Sequence, residues 1–404
     1  MPKRKEADSI LKYRQYTYGD CTREEDIQYL SKKTKVEQGI LLQELSFLHN
    51  MTSSLVPLMF QLLESDIPTK FKMIAYKKIL ALEKDQTGKL HQWVDAFLRI
   101  PFQKGIPLEV NFNQVDKCHS FMKECENTLN QCTYGMHDAK QQFLQLMGKW
   151  VVNPDSMGTA IALKGPMGTG KTTLIKHGIS KILKRPFAFI TLGGAADGSF
   201  LEGHSYTYEG STYGKILDIL IQSKTSNPVI FFDELDKVSQ SEKGSEIIGI
   251  LTHLIDTTQN AQFHDKYFSE LDFDLSKCLF VFSYNDESLV NPILRDRMFT
   301  IEVPGYDKSE KTTIARDYLI AEIEKEYCMP DIQWKDEIIE YLIEKTEHES
   351  GVRNLKRSLD TIYSKLNLER IKDPTFPFPY EITCDRIDEW FPSLEKASYS
   401  SMYL

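Results

Sequence analysis

One eight-residue segment constrains the fold of this chain more than any other part of the sequence. It reads Gly165-Pro166-Met167-Gly168-Thr169-Gly170-Lys171-Thr172 and fits the pattern G-x-x-x-x-G-K-[ST]. An apolar run precedes it and a helical pattern follows, so it is expected to join a buried strand to a helix. Its glycines allow backbone amides to surround phosphate oxygens at the positive end of that helix. Lys171 is expected to reach the β- and γ-phosphates, and Thr172 to ligate Mg²⁺.

A second apolar run ends in two carboxylates. Residues 229–232 predict a buried strand, and Asp233 and Glu234 follow it directly. Asp233 is expected to hold Mg²⁺ through its coordination shell, and Glu234 to orient and deprotonate an attacking water molecule. Together with the phosphate-binding segment, this pair predicts hydrolysis of ATP, beyond nucleotide binding.

The pattern of the chain changes after Asn153-Pro154, where short apolar runs alternate with helical stretches. Such alternation is typical of a parallel sheet covered by helices. Strands are predicted at 160–163, 187–192, 229–232, 278–283 and 299–303, and later helices at 309–326, 335–345 and 351–371. The expected domains are a polar, partly mobile arm (1–35), an N-terminal helical region (36–133), an α/β ATPase subdomain (134–306), a helical lid (307–372) and a C-terminal tail (373–404).

Composition limits the class of protein and of partner. The 404 residues are 41% hydrophobic and 26% charged, which is ordinary for a soluble globular chain. A net charge of −9 does not favour sequence-independent binding to nucleic acid. No run approaches the roughly 18 to 20 apolar residues of a membrane span, and the basic start of the chain has no apolar region after it. We therefore expect a soluble, cytoplasmic protein that does not bind membranes.

Seven cysteines in a long chain indicate reduced thiols rather than a disulfide framework. Cys118, Cys125 and Cys132 recur every seven residues, which places them along one helical stripe, roughly 10 Å apart. One metal ion cannot bridge that distance, so we expect these thiols to lie on a packed helix face.

The order of several short motifs resembles the ATPase module of the Lon proteases, within the AAA+ superfamily. The similarity runs from about Trp93 to Arg357. The matching segments are 93–102 (WVDAFLRIPF), Tyr134-Gly135-Met136, Leu192-Gly193-Gly194, Gly203-His204 with Tyr208-Glu209-Gly210, 232–237 (FDELDK) and 351–355 (GVRNL). The resemblance implies an α/β P-loop core with a five-stranded parallel sheet, helices on both faces and a helical lid. It also places Tyr134 and Gly135 near the adenine.

The same resemblance implies three further roles. Asn285 is expected to help position the attacking water, and Arg353 to contact the γ-phosphate from the lid. Arg297 matches the arginine finger that completes the site of a neighbouring subunit. Arg295 competes for that role, because segment 292–297 is one residue longer than in the family, although Arg297 is the preferred match. Each of these side chains could instead be an ordinary cap or ion-pair partner.

Tyr208 is the residue expected to grip substrate. In the Lon family an aromatic residue followed by an aliphatic residue and glycine projects into a central channel and holds an extended polypeptide. Glu209 occupies the aliphatic position here, so the grip is expected to favour basic or polar substrates. Tyr206 and Tyr213 lie close in sequence and compete for the assignment.

These features predict a Lon-like AAA+ ATPase, a homohexamer that uses ATP to unfold or remodel polypeptides by threading. The chain ends at Leu404, soon after Arg353, and leaves no room for the family's Ser-Lys peptidase domain, so no intrinsic protease activity is expected. Two alternatives stay open: a nucleic-acid motor or loader, with Lys32, Lys33 and Lys35 as a contact patch, and an ATP-dependent adaptor that feeds a separate peptidase. Residues 1–92 show no clear match, so their partner is not predicted.

Overall fold

A computed structural model describes residues 8–16, 24–52, 56–82, 88–154, 156, 160–195, 197–329, 332–346, 349–373, 375–376 and 378–391. The chain divides into two compact units, Met1–Leu98 and Arg99–Leu404. Within the described residues, no helix is both long enough and apolar enough to pass through a lipid bilayer.

The first unit is helical. Its helices are α1 (Asp8–Tyr16), α2 (Glu24–Ser31), α3 (Lys35–Thr52), α4 (Leu58–Glu64), α5 (Thr69–Ala81) and α6 (Lys89–Arg99), the last of which ends just beyond the unit. Helices α1 and α2 lie within the arm that the sequence predicts to be partly mobile, while residues 1–7 and 17–23 of that arm lie outside the described residues. Helix α6 is strongly amphipathic, because Trp93 and Phe97 lie four residues apart on one buried face, with their rings stacked at 5.2 Å.

The second unit contains an α/β part and a helical part. The α/β part comprises α7 (Val115–Cys132), α8 (His137–Val152), β1 (Ala160–Lys164), α9 (Lys171–Thr173), α10 (Ser180–Leu183), β2 (Phe187–Thr191), α11 (Ser199–Glu202), α12 (Lys215–Ser223), β3 (Val229–Asp233), α13 (Glu242–Ile255), β4 (Phe263–His264), β5 (Asp272–Phe273), β6 (Leu279–Tyr284), α14 (Pro292–Asp296) and β7 (Met298–Glu302). The helical part, the lid, comprises α15 (Lys308–Ile314), α16 (Ile320–Tyr327), β8 (Ile332–Gln333), α17 (Asp336–Lys345), α18 (Arg353–Lys372), β9 (Tyr380–Glu381) and α19 (Cys384–Trp390). Wider π-helical segments, Leu174–Ile179 and Ala315–Leu319, join α9 to α10 and α15 to α16.

Five parallel strands form the central sheet, in the order β2-β3-β6-β1-β7. The predicted α/β fold is confirmed, and each predicted strand lies within one residue of the observed one. In the register, Ile161 of β1 lies between Val281 of β6 and Phe299 of β7. The inner strands are buried on both faces, which explains why they read as continuous apolar runs.

Helices α7 and α8 pack on this sheet together with the helix that follows β1. Leu129 of α7 and Phe143 of α8 are buried in the same cluster as Ile161 and Phe231. The sequence placed α7 in the N-terminal region, but this helix belongs to the second unit. The cysteine stripe of α7 lies along its packed side, since Cys125 is buried and Cys118 and Cys132 are half-buried. Burial raises the pKa of the Cys125 thiol to about 12.

The lid has its own core, built by α15 to α19. The segment predicted as a tail from residue 373 takes part in it. Ile332 of β8 pairs in parallel with Tyr380 of β9, and Ile387 and Trp390 of α19 are buried among the lid helices. Helix α18 ends at Lys372 before the proline-containing stretch, but the chain then returns to the lid. Residues 392–404 lie outside the described residues.

Candidate functional site

The glycine-rich segment forms the turn between β1 and α9. Gly165 lies so close to β7 that a Cβ atom there would be 2.0 Å from the carbonyl oxygen of Val303. Gly170, which precedes the helix, has a φ of +87°, a conformation that L side chains rarely adopt. Glycine is therefore required at both ends of the turn. The backbone of the turn lies directly before the first residue of the helix.

Lys171 is the first residue of that helix, and only 9% of it is exposed. Its Nζ atom donates to the carbonyl oxygens of Gly165 at 2.5 Å and Pro166 at 2.9 Å, and to Oδ1 of Asn285 at 3.1 Å. All three acceptors are neutral, and burial lowers the pKa of this ammonium group to about 8. A buried cation beside a glycine turn, whose hydrogen-bond acceptors are all neutral oxygens, fits an anionic phosphate group.

The two carboxylates lie at the end of β3. Asp233 Oδ1 accepts hydrogen bonds from the Ser283 hydroxyl on β6 and from the Glu234 amide, the latter at 3.1 Å. Glu234 has a φ of +61°, and its carboxylate lies against the backbone of Gly193, where a Cβ atom would be 2.4 Å from Oε2. The positive φ and the glycine contact fix the direction in which the Glu234 carboxylate points.

Asn285 follows β6, and a buried carboxylate fixes its backbone. Asp236 is 4% exposed, and its Oδ2 atom accepts from the amides of Asn285 at 3.3 Å and Asp286 at 3.2 Å. Asp236 and Ser283 were not predicted as site residues. Each lies two positions from a predicted site residue, but its contact joins the ends of β3 and β6, which are distant in sequence.

The lid and Tyr306, which leads into it, contact the glycine-rich segment through hydrogen bonds to its backbone. The Val352 amide donates to the Gly168 carbonyl at 3.1 Å, and the Tyr306 hydroxyl donates to the Thr169 carbonyl at 2.8 Å. Burial raises the pKa of Tyr306 to about 12, so this hydroxyl keeps its proton at neutral pH. Tyr306 was not predicted as a site residue, although it follows the Pro304-Gly305 boundary at which the helical pattern begins.

A cavity of about 680 Å³ lies between the sheet and the lid, a size within the range of small-molecule sites. Its lining brings together residues of the glycine turn, both carboxylates and the lid: Tyr134, Met167, Gly168, Thr169, Gly170, Lys171, Thr172, Asp233, Glu234, Asn285, Tyr306, Tyr318, Leu319 and Arg353. At one end, the rings of Tyr134 and Tyr318 meet edge to face at 6.3 Å. Gly135, next to Tyr134, has a φ of +60° and does not line the cavity itself.

Several other predicted residues do not line this cavity. The carbonyl oxygens of Gly165 and Pro166 instead accept from Lys171. Arg297, its competitor Arg295 and Tyr208 also lie outside the lining. The side chain of Arg297 is 3.5 Å from Asp256, and that of Arg295 is 3.5 Å from Glu287; neither arginine lines the cavity. Tyr208 is 69% exposed in the loop between α11 and α12.

The other two tyrosines of this loop, Tyr206 and Tyr213, pack against an aromatic ring. The rings of Tyr206 and Tyr213 pack edge-on against Tyr267 at 5.4 and 6.1 Å. Tyr208 is therefore the tyrosine of this loop that presents most of its surface to solvent.

Comparison with known proteins agrees with this geometry. Residues 161–305 match the family described as "ATPase family associated with various cellular activities (AAA)". The chain is 35% identical over 356 residues to a Lon protease homolog of Acanthamoeba polyphaga mimivirus, covering 85% of this chain and 34% of that protein. It is 35% identical over 295 residues to Lon protease of Fusobacterium nucleatum (72% and 37% covered), and 34% identical over 312 residues to Lon protease of Clostridioides difficile (74% and 39% covered). The chain spans only about a third of the length of these relatives.

Proposed function

We propose that this chain, which contains an AAA ATPase domain related to that of the Lon proteases, couples ATP hydrolysis to the remodelling or unfolding of polypeptides. The observation that carries the proposal is the meeting of Lys171, Glu234 and Asn285 in one cavity that the lid also lines. Two of the relatives, from Fusobacterium nucleatum and Clostridioides difficile, are themselves named Lon protease.

Binding of the nucleotide follows from the glycine turn. The amides of the turn and the Lys171 ammonium group hold the phosphates, and the edge formed by Tyr134 and Tyr318 receives the base. The Thr172 hydroxyl and the Asp233 carboxylate would hold Mg²⁺, and Ser283 orients that carboxylate through its hydrogen bond. An ion held there would supply positive charge to offset that of the phosphates.

Hydrolysis depends on a water molecule near Glu234. The Glu234 carboxylate accepts the proton of that water as it attacks, and Asn285 helps to orient the water. Asn285 suits this role because its amide oxygen already contacts Lys171 and its backbone is fixed by Asp236. Arg353 reaches the γ-phosphate from the first residue of α18.

Assembly into a ring supplies the last cation of the site. Arg297 lies on the surface away from its own cavity, where it is placed to complete the cavity of a neighbouring copy. There its guanidinium neutralises charge on the transferred phosphoryl group. We propose a homohexamer on the family's pattern, with Arg297 rather than Arg295 in this role.

The polypeptide is held by the loop that carries Tyr208. The exposed ring offers apolar contact and stacking to an extended chain without reading its sequence. Glu209 is exposed beside it and adds negative charge, so basic or polar segments are the favoured substrates.

The test combines turnover with assembly. ATP hydrolysis is measured by phosphate release with and without the unfolded protein casein, and particle mass is measured in Mg²⁺-ATP. We expect a ring-sized particle and stimulation by casein. A monomer that hydrolyses ATP at full rate would contradict the proposal, and stimulation by duplex DNA instead of casein would favour a nucleic-acid motor.

A further inference from the structure

The loop that carries Tyr208 is closed at its base. The His204 amide donates to the Thr212 carbonyl at 3.0 Å, and the backbones of Gly203 and Gly214 lie side by side. A Cβ atom on Gly214 would be 2.1 Å from the Leu201 carbonyl oxygen, so no other residue fits there. The loop therefore has a tight base and an exposed tip.

One buried carboxylate fastens this base to the rest of the domain. Asp265 is 0% exposed and lies between β4 and β5. Its Oδ2 atom accepts from the Gly214 amide at 2.7 Å, whereas its Oδ1 atom accepts from the amides of Tyr267 at 2.8 Å and Phe268 at 3.4 Å. One oxygen thus holds the loop, and the other holds the turn that contains Asp265 itself.

We name residues 265–268 the platform, because the loop rests on them. Tyr206 and Tyr213 pack on the Tyr267 ring. The platform is tied in turn to two helices: the Lys266 amide donates to the Glu202 carbonyl at 2.7 Å, and its Nζ atom is 3.3 Å from the Glu246 carboxylate. Movement of α11 or α13 therefore displaces the platform and the loop together.

The segment before the platform leads to the proposed subunit contact. The Asp256 carbonyl, at the end of α13, accepts from the Asn260 amide at 2.9 Å, and the Asp256 carboxylate contacts Arg297. The Leu275 amide donates to the Asn260 carbonyl at 2.9 Å, which closes this segment around the platform. The surface that carries Arg297 and the loop that carries Tyr208 are thus joined by one short, hydrogen-bonded stretch of chain.

We propose that Asp265 is the positioning residue of the Tyr208 loop, because its carboxylate locks the loop base to the platform so that motion of the ATPase core reaches a held polypeptide. A loop without this bond would yield under load instead of transmitting it. The inference rests on the proposed function, since it assigns to Asp265 the transmission of force to the polypeptide that Tyr208 grips.

Replacement of Asp265 by asparagine changes the hydrogen bonds of this side chain with little change in its shape. Three backbone amides donate to Asp265, that of Gly214 to one oxygen and those of Tyr267 and Phe268 to the other. Asparagine keeps only one acceptor oxygen and turns an N–H group towards the donors on the other side. Asp265→Asn therefore preserves shape while it removes the contacts of one of the two oxygens. Asp272→Asn is a matched control, because Asp272 lies on the adjacent strand β5, is partly exposed and pairs with His264 at 3.1 Å.

The experiment compares the 404-residue wild-type chain with both variants, using casein as the polypeptide probe. We expect Asp265→Asn to lose roughly fivefold or more of the casein stimulation of ATP hydrolysis, with basal turnover within about twofold of wild type. Amide hydrogen exchange should rise in residues 203–214 and stay unchanged in β1 and β3. Tyr206→Leu, which removes a ring that packs on the platform without touching the carboxylate, should lose part of the stimulation, and Asp272→Asn should retain it.

Two results would overturn the inference. Full casein stimulation in Asp265→Asn, despite faster exchange in residues 203–214, would show that the bond does not transmit force. Equal loss of basal and stimulated turnover would show that Asp265 supports the ATPase fold in general. Tyr208→Ala separates this inference from the proposed function. If Tyr208→Ala keeps full casein stimulation, the threading proposal itself fails. If Tyr208→Ala loses the stimulation while Asp265→Asn keeps it, only the inference about Asp265 is rejected.

Discussion

The side-chain oxygen of Asn285 lies 3.1 Å from the ammonium nitrogen of Lys171. This contact joins the end of β6 to the glycine turn after β1, two neighbouring strands of the sheet. It places the proposed water-positioning group and the proposed phosphate-binding group within one hydrogen bond of each other. We therefore expect replacement of either residue to disturb the position of the other.

The first prediction concerns the cost of burying Lys171. Lys171→Met should abolish ATP binding, yet raise the free energy of unfolding without nucleotide by about 1 kcal/mol near neutral pH, because a buried charge is removed. The folded-state pKa of Lys171 is lowered to about 8, so the wild type recovers stability as pH rises from there towards the unfolded value. Chemical denaturation at several pH values checks this. A difference in the free energy of unfolding between Lys171→Met and the wild type that widens with rising pH would contradict the prediction.

The second prediction concerns the support of Asp233. Ser283→Ala should lower the apparent Mg²⁺ affinity in the ATPase assay roughly tenfold, because an orienting hydrogen bond to the ligand is lost. A magnesium titration of turnover measures the effect. Ser276→Ala is the control, since that hydroxyl bonds only to Asp274 in an exposed turn and should leave the titration unchanged.

The third prediction distinguishes the two candidate arginine fingers. Arg297→Ala should bind ATP normally but lose roughly a thousandfold in turnover, whereas Arg295→Ala should retain most of its activity. Mixing Arg297→Ala with Lys171→Met should restore part of the turnover, because each copy supplies what its neighbour lacks. Retained turnover in Arg297→Ala with loss in Arg295→Ala would reverse the assignment.

The fourth prediction concerns the charge of the substrate. Glu209→Gln should raise the concentration of a lysine-rich polypeptide needed for half-maximal stimulation by about threefold or more at low salt. The same change should leave stimulation by a neutral, unfolded polypeptide unaltered. An equal effect on both polypeptides would mean that Glu209 does not select by charge.

The fifth prediction uses the buried carboxyl group of the platform. Burial raises the pKa of Asp265 to about 7, so its contribution to stability is complete below the unfolded value and is lost as pH rises towards 7. Relative to Asp265→Asn, the wild type should lose stability by about 1 kcal/mol per pH unit between about pH 5 and 7. Parallel unfolding curves across that range test this, and a constant difference would contradict it.

The sequence was sufficient for the sheet because parallel strands buried on both faces leave unbroken apolar runs, as in 229–232. It was insufficient for α19, because a short helix beyond several prolines has no strong periodic signal. The packing of α19 on the lid is visible only in the structure, where Ile387 and Trp390 are buried. Ser283 and Asp236 were missed for a related reason. Their contacts join residues about fifty positions apart, and no local pattern reports such pairs.

The attachment of the lid to the glycine turn has a consequence for how this protein can be studied. Both acceptors, at Gly168 and Thr169, are carbonyl groups, and one of the two donors is the amide of Val352. Replacement of side chains one by one would leave the hydrogen bond from the Val352 amide intact. Such a scan would therefore underestimate how strongly the lid is held to the glycine turn. Replacement of the Val352 amide by an ester would remove this hydrogen bond and reveal its contribution. Substitutions on the outer face of the lid should be tolerated as long as the main chain keeps its path.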